Sequence, residues 1–419
     1  MPIGWQGELK LRLGDVEGAE AAFRRAMQLQ PDYLFAGFRI FDLQRQRLDL
    51  DGARRTLEIL RPHAPREQII AAEGALAVAA NDQAASLATV RELCCRTDAD
   101  GTVIASAAER LTAAGWGAQL ERALQEATAG PAWHPIVPVA WARSRVRRAR
   151  SAALHLRWLT GLGAPGKDAV CAMLEALGDQ VKAAGGKSAN VNWRVSWELL
   201  WIRAFCHGRW RGDDTYWGKF GYALLCRGRA RAVIRWLRDW RGRRAVEPWM
   251  LQNLALALLV RRRDGEARAV LRHLAHAVVP VAALNPPAMI WCSIAACLDG
   301  ELPLAERLLY ATPEDAVAVG ERALRRLATT VVEILREAPG RTALTRERRA
   351  VLEAARAAAP PRTAGARLVA LATWKVARHT GDGWMTVKAW LRLHRLSTWL
   401  WWAGLLLLGA RLLSVALQG

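Results

Sequence analysis

The segment GLGAPGKD, residues 161–168, has the glycine and lysine spacing of a phosphate-binding loop. Gly161, Gly166 and Lys167 match that spacing, and such a loop holds phosphates with backbone N–H groups and the lysine. Two features argue against nucleotide binding. Asp168 stands where Ser or Thr would hold Mg²⁺, and the preceding stretch SAALHLRWLT has the pattern of a helix rather than a strand. We therefore interpret the segment as a loop between two helices.

Two histidines and one Cys–His neighbour pair are the other side chains suited to chemistry. His273 and His276 lie three residues apart, close enough on a helix to share a metal ion, but no third ligand has a recognisable spacing. Cys206 and His207 are adjacent in sequence, so they do not face each other on a helix. The sequence has no HExxH or GxSxG motif. We therefore expect no metal, no cofactor and no catalytic activity.

Tryptophan is the dominant aromatic residue, with 20 Trp against 4 Tyr and 6 Phe. Trp193, Trp197 and Trp201 recur every four residues, which places them in one stripe along a helix. Core packing is the commoner reason for such a stripe. A binding ledge of exposed aromatic rings is the alternative, and the sequence leaves both open.

The chain is strongly basic, with a formal net charge of +21. Residues 129–275 contain 27 Lys and Arg against 10 Asp and Glu, and the densest stretches are ARSRVRRAR (142–150) and RWLRDWRGRR (235–244). Such a surface would suit an acidic protein, anionic lipid or single-stranded nucleic acid. The coding bias of a GC-rich bacterial genome is the alternative source of so much arginine. The candidate contacts for an anionic partner are Arg147, Arg148, Arg243 and Arg244.

A repeat of about 34 residues supplies the elements that must position these side chains. The stretch GDVEGAEAAFRRAMQLQPDY has a glycine at a turn, small residues at expected helix crossings, a large apolar residue and a proline at the exit. These positions are Gly14, Ala19, Phe23, Ala26 and Pro31, and the next repeat has Ala53, Leu57 and Pro65. The spacing predicts antiparallel helix pairs whose apolar faces are buried only when the pairs stack.

This pattern resembles the tetratricopeptide repeat family, most closely over residues 5–65 and also over 66–130. A second block, 213–312, has the same order with periods of 37 and 35 residues. Its turn glycines, and the apolar residues five positions after them, are Gly228, Gly265, Gly300, Val233, Val270 and Ala305. The resemblance implies an α-solenoid whose concave face binds peptides or partner proteins, and it does not fix the ligand. No long segment alternates with period two, so we predict an all-α chain.

The C-terminal segment contains WLWWAGLLLLGA, which is apolar on all sides. We predict a single transmembrane helix over residues 397–419, with Trp399, Trp401 and Trp402 as an aromatic belt and Arg411 snorkelling to the far headgroups. Basic residues before it predict that the bulk of the chain is cytoplasmic. A helix lying flat in the membrane interface and a buried soluble helix are the alternatives.

These patterns divide the chain into five predicted segments. They are a tetratricopeptide array (1–130), a basic, Trp-rich helical connector (131–212), degenerate repeats (213–338), basic amphipathic juxtamembrane helices (339–396) and the anchor (397–419).

The function predicted is that of a membrane-anchored tetratricopeptide scaffold, which binds partner proteins at the cytoplasmic face of the cell membrane and contacts anionic lipid there. Two alternatives stay open. One is a basic helical solenoid that binds nucleic acid, and the other is a non-catalytic accessory piece of a larger enzyme such as a glycosyltransferase or peptidase.

Overall fold

A computed structural model of the chain describes residues 3–185, 188–278, 285–339, 344–360 and 363–394. Every regular element in these ranges is a helix, so the predicted all-α class is confirmed for the described part of the chain. The chain divides into two compact units, unit 1 with residues 1–216 and unit 2 with residues 217–419.

Unit 1 is built from antiparallel helix pairs. Helix α1 packs on α2, α3 on α4 and α5 on α6, while α5, α7 and α9 pack side by side, as do α6 and α8. This is the stacked arrangement that the repeat predicted. The helices are α1 (Ile3–Arg12), α2 (Val16–Leu29), α3 (Leu34–Gln46), α4 (Leu50–Leu60), α5 (Arg66–Ala79), α6 (Gln83–Cys94), α7 (Gly101–Ala113), α8 (Gly117–Ala127), α9 (Val137–Arg147), α10 (Leu156–Gly161), α11 (Ala164–Ala183) and α12 (Ala189–Trp210).

A residue with left-handed backbone follows the first helix of each pair at a regular interval. Backbone φ is positive at Gly14, Leu48, Asn81, Gly115 and Ala149, which are 33 or 34 residues apart. Side chains rarely adopt this conformation, so its recurrence at non-glycine residues shows that the turn is imposed by the packing of the pair. The period therefore continues to the turn after α9, beyond residue 130.

Aspartates at the same interval begin the second helix of three pairs. Asp15, Asp49 and Asp82 each accept a hydrogen bond from the backbone N–H three residues later, at 2.8, 2.9 and 2.9 Å. Each satisfies a backbone donor that the helix itself leaves unpaired. The aspartate caps fix where α2, α4 and α6 begin.

Small residues at the helix crossings let the backbones of unit 1 approach. Ala19 and Phe23 are completely buried, and Ala53 and Leu57 are buried in the next pair. Ala26 is also buried, whereas Pro31 lies in an exposed turn after α2 and Pro65 caps the N-terminus of α5.

Unit 2 is also composed of paired helices. Helix α13 contains the boundary between the units, and α15 packs on α16, α17 on α18, α19 on α20 and α21 on α22. A short 3₁₀ helix, Trp240–Gly242, lies between α14 and α15. The helices are α13 (Asp214–Cys226), α14 (Ala230–Trp236), α15 (Pro248–Val260), α16 (Asp264–His273), α17 (Pro286–Asp299), α18 (Leu302–Tyr310), α19 (Arg322–Arg336), α20 (Arg346–Ala358), α21 (Ala364–Thr380) and α22 (Gly383–His394).

The turns of unit 2 differ from the predicted pattern at one position. Gly228 and Gly300 have left-handed backbone, but Gly265 lies inside the first turn of α16, and Arg262 takes the left-handed conformation instead. The residues selected after these turns, Val233, Val270 and Ala305, are all buried.

Helices α20 and α21 belong to the core of unit 2. Leu352, Leu368 and Val376 are buried in the same apolar cluster as Leu254 and Val331. The segment predicted as juxtamembrane therefore completes the core of unit 2, because its apolar faces are covered by α15, α17 and α19.

The end of α22 is held by two arginines. The carbonyl of Leu393 accepts hydrogen bonds from Arg262 Nη1 at 2.9 Å and from Arg367 Nη1 at 2.7 Å. Arg367 also pairs with both carboxylate oxygens of Asp264, at 3.0 and 2.5 Å. These contacts join the end of α22 to α21 and to the start of α16.

The predicted anchor lies outside the described residues, and with it Trp399, Trp401, Trp402 and Arg411. Among the helices that the structure describes, none has the length and apolar character needed to cross a bilayer.

Candidate partner-binding surfaces

A groove of about 290 Å³ runs across the first helices of successive pairs in unit 1. Its lining comes from α3, α5 and α7. The residues are Phe38, Phe41, Asp42, Gln68, Ala71, Ala72, Ala75, Thr102, Val103, Ser106 and Arg110. Aromatic rings and alanines therefore form its apolar walls, with Asp42 and Arg110 as its charged groups.

Arg110, which lines this groove, and its neighbour Arg45 each have one hydrogen-bond donor without an acceptor among the described residues. Arg110 donates to the carbonyl of Ala71 at 3.3 Å, and Arg45 pairs with Asp42 at 3.2 Å. The Nε atoms of Arg45 and Arg110 are buried and have no acceptor in the part of the chain that the structure describes. Burial and the neighbouring Arg45 hold the pKa of Arg110 below its usual value. Buried donors of this kind are normally satisfied, so the guanidinium group of Arg110 is incompletely bonded at the wall of the groove.

The arginines predicted for an anionic partner in segment 142–150 have different environments. Arg148 Nη1 donates to Glu121 Oε1 at 2.8 Å, and Arg145 Nη1 donates to Glu121 Oε2 at 2.7 Å. Glu121 is 4% exposed, so Arg148 compensates a buried carboxylate. Arg147 lies at the surface and pairs with Glu109 at 3.4 Å. Of the two predicted residues, Arg147 alone faces solvent.

The second predicted pair is also divided. Arg243 has a side-chain exposure of 9%, bonds to Asp239 at 3.0 Å and stacks over Trp217 at 4.6 Å from the ring centroid. Arg244 is exposed. Neighbouring arginines not selected from the sequence, among them Arg235 and Arg238, line a cleft in unit 2. Arg243 and Arg244 both lie beyond the end of α14, so helical register does not separate them; the contacts of Arg243 with Asp239 and Trp217 do.

The tryptophan stripe on α12 is largely a surface feature. Trp193 is 68% exposed and Trp197 is 41% exposed, and their rings stack at 5.9 Å between centroids. Trp201 and Phe205 extend the row with spacings of 5.6 Å. Core packing, the commoner interpretation, is therefore wrong for Trp193 and Trp197.

The segment GLGAPGKD is a loop only at Leu162 and Gly163, which lie between α10 and α11, and Gly163 has a positive φ. The interpretation of the whole segment as a loop is wrong for residues 164–168, which form the first turn of α11. Lys167 Nζ bonds to Asp213 Oδ2 at 2.7 Å, and this hydrogen bond raises the pKa of Lys167. The lysine thus has an internal carboxylate partner, which is the opposite of the free cation that a phosphate loop needs.

The two histidines and the cysteine considered as metal ligands or nucleophiles each have another environment in the fold. His273 contacts the ring of Trp240 at 4.7 Å, whereas His276 Nε2 lies 2.5 Å from Glu301 Oε2. Within the described ranges, no three His, Cys, Asp or Glu side chains come together as metal ligands. Burial raises the pKa of the Cys206 thiol to about 12, which keeps it protonated at neutral pH.

No protein-family model matches the chain, and no curated protein matches it. The chain is similar to a chain of the crystal structure of the APC/C hetero-tetramer Cut9–Hcn1, with 12% identity, a TM-score of 0.29, and coverage of 94% of this chain and 86% of that chain. A likeness at that TM-score carries no argument. The helix pairs and their periodic turns, taken from the chain itself, define the class: an all-α helical-repeat protein.

Proposed function

We propose that this chain is a tetratricopeptide-type scaffold that binds a segment of a partner protein in the groove across α3, α5 and α7. The chain has no catalytic role of its own in this proposal. Its C-terminal segment tethers it to the cell membrane, with units 1 and 2 on the cytoplasmic side.

The observation that carries the proposal is an apolar groove lined by Arg110, a partly buried arginine whose Nε donor has no acceptor among the described residues. The guanidinium group of Arg110 lines the groove and stays cationic there, so a backbone carbonyl or carboxylate of a bound peptide would accept a charge-assisted hydrogen bond from it. Phe38 and the alanines of α5 would contact apolar side chains of the same segment. The groove suits a peptide because α3, α5 and α7 together offer apolar contacts for side chains and a charged donor, Arg110, for oxygen atoms.

The tether is supported by the sequence alone. Residues 397–419 combine an apolar stretch with tryptophans at its start and basic residues before it, the features of a membrane span that begins in the cytoplasm.

Site-specific photocrosslinking in the native host tests the groove. A photoreactive amino acid at Thr102, which is exposed in the groove, is compared with the same amino acid at Arg55, which is exposed on α4 outside the groove. We expect one protein adduct from position 102 that is absent at position 55, and its loss in an Arg110→Met variant. Circular dichroism of that variant checks that unit 1 remains folded. The same adducts at both positions, or an adduct unaffected by Arg110→Met, would contradict the proposal.

A further inference from the structure

Unit 2 contains a cleft of about 400 Å³, and most of its exposed lining residues are arginines. This volume falls within the range of about 300–1,000 Å³ typical of ligand pockets. Its floor is apolar, with Leu254 and Leu258 from α15 and Val270 from α16. The arginines that line it are Arg231 and Arg235 on α14, Arg238 after it, Arg241 on the 3₁₀ helix, and Arg263 before α16.

Four of these arginines have no carboxylate partner in the described part of the chain. Arg231, Arg235, Arg238 and Arg241 are exposed and make no ion pair with any described residue. The fifth, Arg263, is neutralised by Glu266 through two hydrogen bonds of 2.6 Å. Glu266 is also the one acidic residue in the lining, so the cleft has an excess of four positive charges.

Surface arginines of this chain often have carboxylate partners, as Arg54 has Asp51 and Arg61 has Glu58. Other exposed arginines, such as Arg25 and Arg55, also lack an ion pair among the described residues, but around this cleft four such guanidinium groups line a single concavity. Like charges held this close repel one another and oppose folding, unless an anion occupies the space between them. The placement therefore points to an anionic ligand.

The aromatic residue of the cleft helps to decide which anion fits. Single-stranded nucleic acid binds such sites by stacking bases on exposed rings. Trp240 is 6% exposed, and its ring is contacted by Arg241 at 4.5 Å and by His273 at 4.7 Å. It offers no face to a base.

The shape of the cleft also disfavours a bilayer. A lipid surface is flat on this scale and would contact the rim without entering the concavity. The apolar residues of the floor are buried, with Leu254 3% and Leu258 2% exposed, so they cannot insert into lipid. A narrow chain that carries carboxylates can enter and place them between the guanidinium groups.

We infer that the cleft between α14, the 3₁₀ helix and α16 binds an acidic segment of a partner protein through Arg231, Arg235, Arg238 and Arg241. Carboxylates of the segment accept paired hydrogen bonds from these guanidinium groups, a geometry for which arginine is well suited. This site is separate from the groove of unit 1 and does not depend on the function proposed for that groove.

Fluorescence anisotropy with the full-length protein in detergent tests the inference. The probe is a labelled peptide of eight glutamates, and the matching peptide of eight glutamines is the ligand control. We expect the triple variant Arg231→Gln, Arg235→Gln, Arg238→Gln to weaken binding of the glutamate peptide about ten-fold or more. These side chains are exposed and unpaired, so the thermal melting point should not change.

A second triple variant controls for net charge. Arg25, Arg55 and Arg122 are exposed, make no ion pair among the described residues and lie in unit 1. Their replacement by Gln removes the same three charges, and we expect it to weaken binding less than about two-fold. An equal effect of both triple variants would refute the site, because general charge would then explain the binding. The cleft variant could instead lose binding to a (dT)8 oligonucleotide or to anionic vesicles while it still binds the glutamate peptide. That result would refute the acidic-segment site in favour of those ligands.

Discussion

The ring of Phe23 packs against the backbone of Gly7, so that a Cβ atom on residue 7 would lie 2.6 Å from Phe23 Cε1. Helices α1 and α2 therefore approach as closely as two backbones can with an aromatic ring between them. The contact explains why the completely buried Phe23 stands opposite a glycine.

Replacing Gly7 with alanine should destabilise unit 1. The added methyl group would overpack the contact with Phe23, at a cost of about 1–3 kcal/mol. Urea denaturation followed by circular dichroism measures the change. Gly208→Ala on α12, where nothing lies within 4 Å, is the control and should stabilise the helix by about 0.5–1 kcal/mol. Equal behaviour of both variants would contradict the close packing.

Ala19→Arg should be more damaging than Gly7→Ala. Ala19 is 0% exposed, and arginine would both overpack the crossing and bury a charge, which should cost about 3 kcal/mol or more. Ala21 is exposed two residues further along α2, and Ala21→Arg should change stability by less than about 0.5 kcal/mol. An unchanged melting temperature of the Ala19→Arg variant would contradict the assignment of a helix crossing at residue 19.

Arg148 should act on stability rather than on binding. Its removal leaves the buried carboxylate of Glu121 with one charged partner, Arg145, and should cost about 3 kcal/mol. Arg147→Gln is the matched change and should cost less than about 1 kcal/mol, because its pair with Glu109 is at the surface. The double variant Arg148→Gln, Glu121→Gln should recover much of the loss. A double variant no more stable than Arg148→Gln would show that the ion pair is not the cause.

His155 should make unit 1 less stable in mild acid. Burial and the neighbouring Arg145 hold the pKa of His155 below its ordinary value of 6.5, against an opposing effect of Glu121. The folded protein therefore binds this proton less readily than the unfolded chain. The contribution of His155 is complete above about pH 6.5, is lost as pH falls through the lower folded pKa, and is constant below it. Melting curves between pH 7.5 and 5 should show this loss, and His155→Gln should reduce it. Identical pH profiles of the wild-type protein and His155→Gln would show that His155 does not cause the loss of stability in acid.

The C-terminal segment should keep the protein in the membrane during carbonate extraction. A variant that lacks residues 397–419 should be released into the supernatant. A cysteine introduced at residue 419 should react with a membrane-impermeant reagent added to intact cells, and one at residue 380 should not. Release of the full-length protein by carbonate would show that the segment does not span the membrane.

The repeat was predictable because its packing residues are local in sequence. Ala19, Phe23 and Ala53 follow from a spacing that any helix pair must satisfy when its apolar face is covered by the next pair. The turns were less predictable, since Leu48 and Arg262 take a left-handed conformation that glycine normally provides. There the packing of the pair overrides the preference of the residue.

The binding surfaces depended on contacts that a single sequence does not record. Arg148 and Arg147 are neighbours in one basic run, yet one compensates a buried carboxylate and the other faces water. Arg235 and Arg243 are separated in the same way by the turn after α14. The stripe of Trp193 and Trp197 has the period of a buried face, and yet the two side chains are 68% and 41% exposed.

The two hydrogen bonds from Arg262 and Arg367 to the Leu393 carbonyl have a mechanical consequence. Each is a charge-assisted bond worth about 1.5–3 kcal/mol, so α22 cannot swing outward as a loose hinge without breaking both. Tension on the chain beyond His394 would pass to α21 and, through Asp264, to α16. Helix α16 also forms one wall of the arginine cleft, so tension at the C-terminal end would be transmitted to the site where an acidic segment binds.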